Sequence, residues 1–279
     1  MACVGDLVID PEHRDKGLFK QIMDFMLDDL ANQGYTFVFN LSAGTLTQLG
    51  ALAMGWRSIG VLDVRQRIGY VYRVLRRVRY HLRIEETKPF DRIDRKLGKT
   101  FTRNGRSISL EQKPRPEQMA SLVANLKRKN RLAHEKSIKF FRWRFDNPIV
   151  NYRFLFSGDL EGYLVLQTNR TYDPCLVQIV DWEADEFPIL EELLNTAVDL
   201  CKFMRLSITL PRFDPQMSDL LEQLRFTKDP FGTRIEDYRP MILLRSVSNE
   251  MLRDEWTVNG LDLVDADNWD MRPIYSDGF

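Results

Sequence analysis

The feature that most restricts this chain is a strand-to-helix junction at its start. Residues 3–9, Cys-Val-Gly-Asp-Leu-Val-Ile, form a short, mostly apolar run that Pro11 ends, because proline has no N–H to donate to a sheet ladder. After a charged loop, Leu18, Phe19, Ile22, Met23, Phe25, Met26, Leu27 and Leu30 recur at helical spacing between Gly17 and Asn32, and Gly34 supplies the stop. The aromatic and β-branched run Tyr35–Leu41 predicts the next strand, parallel to the first, and Thr45–Met54 a short helix closed by Gly55. A helix that starts behind a glycine presents unpaired amides with the positive end of its dipole behind them, which is an anion site. Arg14, Lys16 and Lys20 add positive charge at the same place.

Further along, Ile59–Val64 and Ile68–Val74 read as a hairpin, and the polar stretch 85–106 as a linker without sustained apolar period. Beyond it the patterns predict a strand at Ser107–Gln112 and helices at Pro116–Leu126 and Ser137–Phe145. Strands follow at Tyr152–Phe156, Tyr163–Gln167 and Leu176–Trp182, then a helix at Glu186–Met204, a strand at Leu206–Leu210, a helix at Gln216–Arg225 and a last strand at Tyr238–Leu244. The fold class is α+β, with mixed sheets flanked by helices. The expected division is 1–84, the linker 85–106, a second domain 107–245 and an acidic tail 246–279, which either packs through Trp256, Trp269 and Tyr275 or stays loose.

This order, and the segment Leu7-Val8-Ile9-Asp10-Pro11-Glu12-His13-Arg14-Asp15-Lys16-Gly17-Leu18-Phe19, resemble the GNAT acyltransferase superfamily, whose strand-Pro-x-x-Arg-x-x-Gly-x-Gly/Ala signature turns loop amides toward the pyrophosphate of coenzyme A. Asn40, just past the next strand, and Met54-Gly55-Trp56 arrive in register with that motif. The resemblance implies acetyl-CoA as co-substrate, held by Leu7, Val8, Ile9, Arg14, Asp15, Lys16, Gly17, Leu18, Phe19, Lys20 and Asn40, and a small amine or amino-sugar acceptor. It places the amide that polarises the thioester carbonyl near Val8 or Ile9. Asp6 is the first candidate for the base, ahead of Asp10, Glu12 and His13; a structural carboxylate is the alternative reading of Asp6, and an exposed loop histidine that of His13.

The chain departs from the pattern in three ways. Phe19 stands where the family prefers Gly or Ala, and Gly50, Ala51, Leu52 and Ala53 occupy the region that often carries a general-acid tyrosine. The first motif lies on the family's fourth strand, so the expectation is either that the sequence is a fragment or that another segment or a partner subunit, as in a homodimer, completes the acceptor side. Residues 107–244 resemble a second GNAT unit whose loop, Asp181-Trp182-Glu183-Ala184-Asp185-Glu186-Phe187-Pro188, places carboxylates where phosphates would sit, so it is expected not to bind coenzyme A. Phe141-Arg142-Trp143-Arg144-Phe145-Asp146-Asn147-Pro148 is similar to a segment of tandem members; Trp143 and Arg144 line a shared acceptor pocket or belong to the core. A FemABX-like aminoacyl transferase and a non-catalytic ligand-binding protein are the competing functions.

Composition narrows the rest. Forty basic residues balance forty acidic ones, which gives no net field for nucleic acid or a membrane surface. An arginine-rich stretch at 65–83 and the acidic residues near the C-terminus read as solvated faces, with an anion site as the alternative for the former. Three scattered cysteines point to a reducing compartment, hence the cytoplasm, and to no metal site; no apolar run approaches the ~20 residues of a membrane span.

Overall fold

Two main sheets form, and the chain exchanges strands between them. The computed structural model describes residues 1–5, 7–41, 43–69, 72, 89–126, 131–148, 150–168, 176–228, 241–248 and 256–275. The first part runs β1 (Ala2–Cys3), α1 (Leu18–Asn32), β2 (Phe37–Asn40), α2 (Thr45–Ala53), β3 (Arg57–Val61) and β4 (Asp63–Ile68). After it come α3 (Pro89–Asp94), β5 (Thr100–Arg103), β6 (Arg106–Glu111), α4 (Pro116–Asn125), β7 (Leu132–Ala133), α5 (Ile138–Phe145), β8 (Asn151–Ser157), β9 (Gly162–Thr168) and β10 (Leu176–Ala184). The last part comprises α6 (Phe187–Leu200), β11 (Arg205–Leu210), α7 (Pro215–Gln223), β12 (Met241–Ser246) and the short β13 (Thr257–Val258), β14 (Leu261–Asp262) and β15 (Trp269–Asp270).

The first sheet has the order β1-β2-β12-β3 and the second β4-β11-β10-β9-β8-β6-β5. Of the hairpin expected from Ile59–Val64 and Ile68–Val74, the first run is divided between β3 and β4, and most of the second, 70–71 and 73–74, lies outside the described residues. Only Leu62 separates β3 from β4, and one residue cannot reverse a chain, since hairpins need a loop of two or more. The chain instead runs on from one sheet into the other, where β4 pairs antiparallel with β11 from Arg205↔Ile68 to Leu210↔Asp63. β12 makes the return exchange, lying antiparallel between β2 and β3 in the first sheet. The sheets thus do not coincide with a linear division at 1–84 and 107–245.

Period-2 alternation distributes the first sheet's side chains. Val38 and Leu243 face α1 and α2 with Met23, Leu27, Ala51 and Trp56, whereas Phe37, Phe39, Leu41, Ile242 and Leu244 face the opposite way. There they meet Trp256, Leu263, Trp269 and Met271, so the C-terminal segment is the second wall of this core rather than a loose tail. β15 pairs with β7, and Trp269 Nε1 donates to the Leu263 carbonyl at 3.0 Å.

Within the stretch 85–106, the described residues 89–106 are not a linker. Phe90 and Ile93 of α3 are buried, and Asp94 receives Arg153 through both carboxylate oxygens at 2.5 and 2.6 Å. β5 and β6 form a hairpin through Asn104-Gly105, with φ of 45° and 81°, the pair a tight primed turn demands. No helix among the described residues is long and apolar enough to cross a membrane.

Candidate active site

β1 pairs parallel with β2 only at Ala2↔Val38 and Cys3↔Phe39, and the ladder ends where Val4 N donates to Phe39 O at 2.9 Å. Residues 7–10 form no strand, and β2 itself ends at Asn40; Asp6, the candidate base, lies outside the described residues. Asp10 then accepts from Glu12 N at 2.9 Å and caps a single 3-10 turn, Pro11–His13. That bond gives Asp10 a structural task, while Glu12 and His13 stay exposed. Arg14 folds back and donates from Nε to the Ile9 carbonyl at 3.1 Å, which holds the unpaired strand end in one orientation.

Two left-handed residues complete the loop: Asp15 at φ 60° and Gly17 at φ 71°. Gly17 is the N-cap of α1, whose first turn carries no acidic residue and no capping side chain. The first amides of a helix have no partner within it, so those that open α1 are available to an anion. A Cβ on Gly17 would meet nothing within 4 Å, so the backbone here is approachable from outside. Lys16 is exposed, and Lys20 pairs with Asp24 at 2.5 Å one turn further on.

Beneath the loop lies a cleft of about 440 Å³ lined by Leu7, Val8, Ile9, Arg14, Phe19, Leu46 and Thr47. The structure thus brings together Leu7, Val8, Ile9, Arg14 and Phe19, with Asp15, Lys16, Gly17, Leu18 and Lys20 around the loop and helix start. It does not bring Asn40 there. That residue is 6% exposed and pairs with Leu243 of β12, whose insertion beside β2 covers it. Leu46 and Thr47, at the start of α2, were not singled out from sequence; Leu46 is 85% exposed, and an apolar residue on an outward helical position is the signal that could have marked it.

Trp56 and Trp182 are buried core residues. Trp143 is exposed on α5 and Arg144 buried, and neither lines a cleft described here.

The corresponding place in the second sheet, between β10, β11 and the starts of α6 and α7, holds a cavity of about 470 Å³. Its walls carry Glu183, Asp185, Glu186, Asp214 and Asp270 against Arg131 and Arg272. α6 begins with Glu186 as N-cap and a proline in its first turn, Pro188, which removes one of the amide donors an anion would need. Asp214 already caps α7 by accepting from Met217 N at 2.8 Å. Behind this cavity Lys136 Nζ contacts Asp181 at 2.5 Å and Glu183 at 2.7 Å, while Arg272 Nη1 reaches them at 3.1 and 3.3 Å and also donates to the Trp182 carbonyl. Tyr163 donates to Asp181 at 2.8 Å; burial first, and the Asp181 charge second, raise its pKa well above that of a free phenol. Burial alone would raise the Glu183 carboxyl, yet the Arg272 and Lys136 cations outweigh it and hold it below the ordinary value. Carboxylates outnumber cations on the walls of this cavity.

No protein-family model matches the sequence. No curated protein matches it significantly either. Solved structures do match by fold. A tandem GNAT protein from the clavulanic acid biosynthesis pathway, without acetyl-CoA, has a TM-score of 0.54 at 14% identity, covering 89% of this chain and 76% of that one. A GCN5-related N-acetyltransferase from Anabaena variabilis has a TM-score of 0.51 at 16% identity, covering 87% of this chain and 54% of that one. A probable N-acyltransferase from Enterococcus faecalis has a TM-score of 0.52 at 14% identity, covering 88% and 54%. The chain spans about half the length of the last two, and its fold is tandem GNAT-like.

Proposed function

We propose that this chain is an acyl-CoA-dependent N-acyltransferase, with acetyl-CoA as donor and a small amine or amino sugar as acceptor, and that the first cleft does the work. One observation carries this reading: a left-handed turn at Gly17 opens onto uncapped helix amides beside a cleft bordered by residues 7–9, which belong to no strand. The residues present fit the co-substrate. The opening amides of α1, with Arg14 and Lys16 nearby, would hold the pyrophosphate, and the backbone at Val8 and Ile9 would line the pantetheine arm and polarise the thioester carbonyl.

In the transfer the acceptor nitrogen attacks the thioester carbon, the C–S bond breaks, and the amine proton passes to a base, for which Asp6 is the candidate. Positions 50–53 of α2 hold no hydroxyl, so no side chain there protonates the departing thiolate. That same gap favours a second reading, coenzyme A binding without turnover. A cytoplasmic setting fits the free thiols of Cys3 and Cys201.

Calorimetric titration with acetyl-CoA tests the reading. The intact chain is expected to bind, and Gly17→Glu, which places a carboxylate at the pyrophosphate position, to lose binding. No heat from the intact chain would sink the proposal, and binding with no acyl transfer to any panel of amines would favour the second reading.

A further inference from the structure

Resting on that reading, we propose that Phe19 is a positioning residue for the coenzyme's pantetheine arm, and that the missing side chain of Gly50 sets where its ring stands. Leu46, Thr47 and Gly50 lie within one turn of α2, and the first two line the cleft together with Phe19. At the third position a Cβ would stand 3.1 Å from Phe19 Cε1, with Cδ1 and Cζ at 3.6 and 3.7 Å. Carbon atoms at rest approach to about 3.5–4.0 Å, so any side chain at position 50 must move the ring.

The direction of that movement follows from what surrounds Phe19. On one side the ring packs against the cluster of Met23, Leu27, Val38, Ala51 and Trp56, which is filled. On the other side is the open cleft. A ring pushed by residue 50 therefore enters the cleft. Two departures read separately from sequence, a bulky Phe19 where a small residue is expected and a small Gly50 in a region that often carries an aromatic ring, become one compensated pair. The aromatic surface of the cleft comes from α1 instead of α2, and it carries no hydroxyl.

The test compares two probes on four forms of the full chain: wild type, Gly50→Ala, Phe19→Ala and the double variant Gly50→Ala/Phe19→Ala. Coenzyme A carries the pantetheine arm, whereas adenosine 3′,5′-bisphosphate does not. Gly50→Ala is expected to weaken coenzyme A binding about tenfold, within the range overpacking produces, and to leave the bisphosphate unchanged. The double variant should bind coenzyme A as Phe19→Ala does, because the added methyl no longer meets a ring. Equal coenzyme A affinity in wild type and Gly50→Ala would overturn the inference. So would a loss shared equally by both probes, which reports a damaged loop, or a double variant that binds coenzyme A more weakly than Phe19→Ala does. A wild-type chain that binds no coenzyme A fails the functional proposal itself, a separate result from any of these.

Discussion

Arg14 and Gly17 act on different atoms of the same loop. Arg14 holds the Ile9 carbonyl, and Gly17 at φ 71° turns the chain into α1 without blocking the amides beyond it. Both were legible in sequence, because the need for a left-handed residue and for a nearby cation is local chemistry. Leu46 and Thr47 were not, since nothing in their own neighbourhood says that β1 ends at Cys3 and that residues 7–9, which form no strand, line a cleft against α2. The cysteines permit a test at this scale. Burial is the largest influence on Cys201 and pushes its thiol up to about 12, against lesser opposing pulls from Arg67 and Lys96, so the reactive thiolate is suppressed at neutral pH. Brief iodoacetamide treatment of the native chain near pH 8, followed by peptide mapping, should modify exposed Cys3 and spare Cys201; alkylation of Cys201 before unfolding would contradict its burial.

At the scale of elements, most helices and strands follow from periodicity, as with α1, α4, α6, β8 and β9, while the partner of each strand does not. Ile59–Val64 reads as one strand of a hairpin, yet Leu62 divides it between β3 and β4 in different sheets, and one residue is too short a link to pair those two with each other. The Asn104-Gly105 turn was a legible signal passed over inside a polar stretch that had been assigned to a linker. Seating β4 in the second sheet brings Gly69 against the chain after α6: its amide donates to Met204 O at 3.0 Å, and a Cβ there would stand 1.9 Å from Lys202 O. Gly69→Ala must therefore displace backbone, and a loss of about 1–3 kcal/mol is expected from overpacking of this kind. Urea unfolding checks it; an unchanged midpoint would mean that β4 does not sit where it is described.

At the scale of the molecule, the C-terminal segment ties the two sheets together. Trp256, Leu263, Trp269 and Met271 wall the first core, and Arg272 reaches Asp181 and Glu183 on β10 of the second. Arg272→Leu removes one of the two cations that pair with those carboxylates, leaving Lys136 as the other, and breaking a buried pair in this way costs about 3–5 kcal/mol near neutral pH. Its pH dependence has a definite sign. The Glu183 carboxyl is depressed by Arg272 and Lys136 against the opposing effect of burial, so its contribution is present above the ordinary value of 4.5 and lost as pH falls through the depressed one. The stability gap between wild type and Arg272→Leu should accordingly narrow in urea melts as pH drops from about 7 to below 4.5. A gap that stays constant or widens would show that Arg272 acts by packing on Trp182, over whose ring its guanidinium carbon stands at 4.4 Å, and not by charge.

Sequence alone determined the local alphabet of this protein: the glycine turn that opens α1, most of the helices, and the run of carboxylates that follows β10. These are legible because glycine, proline, capping residues and hydrophobic period act over a few residues. Tertiary structure decided which sheet each strand joined, that the acidic C-terminal segment would be a core wall, and that Asn40 would be covered by β12 while Leu46 met the cleft. Every strand edge offers the same N–H and C=O groups, so pairing over long separations is settled by which arrangement buries Phe37, Phe39, Trp256 and Trp269 together, and no short window of sequence contains that comparison.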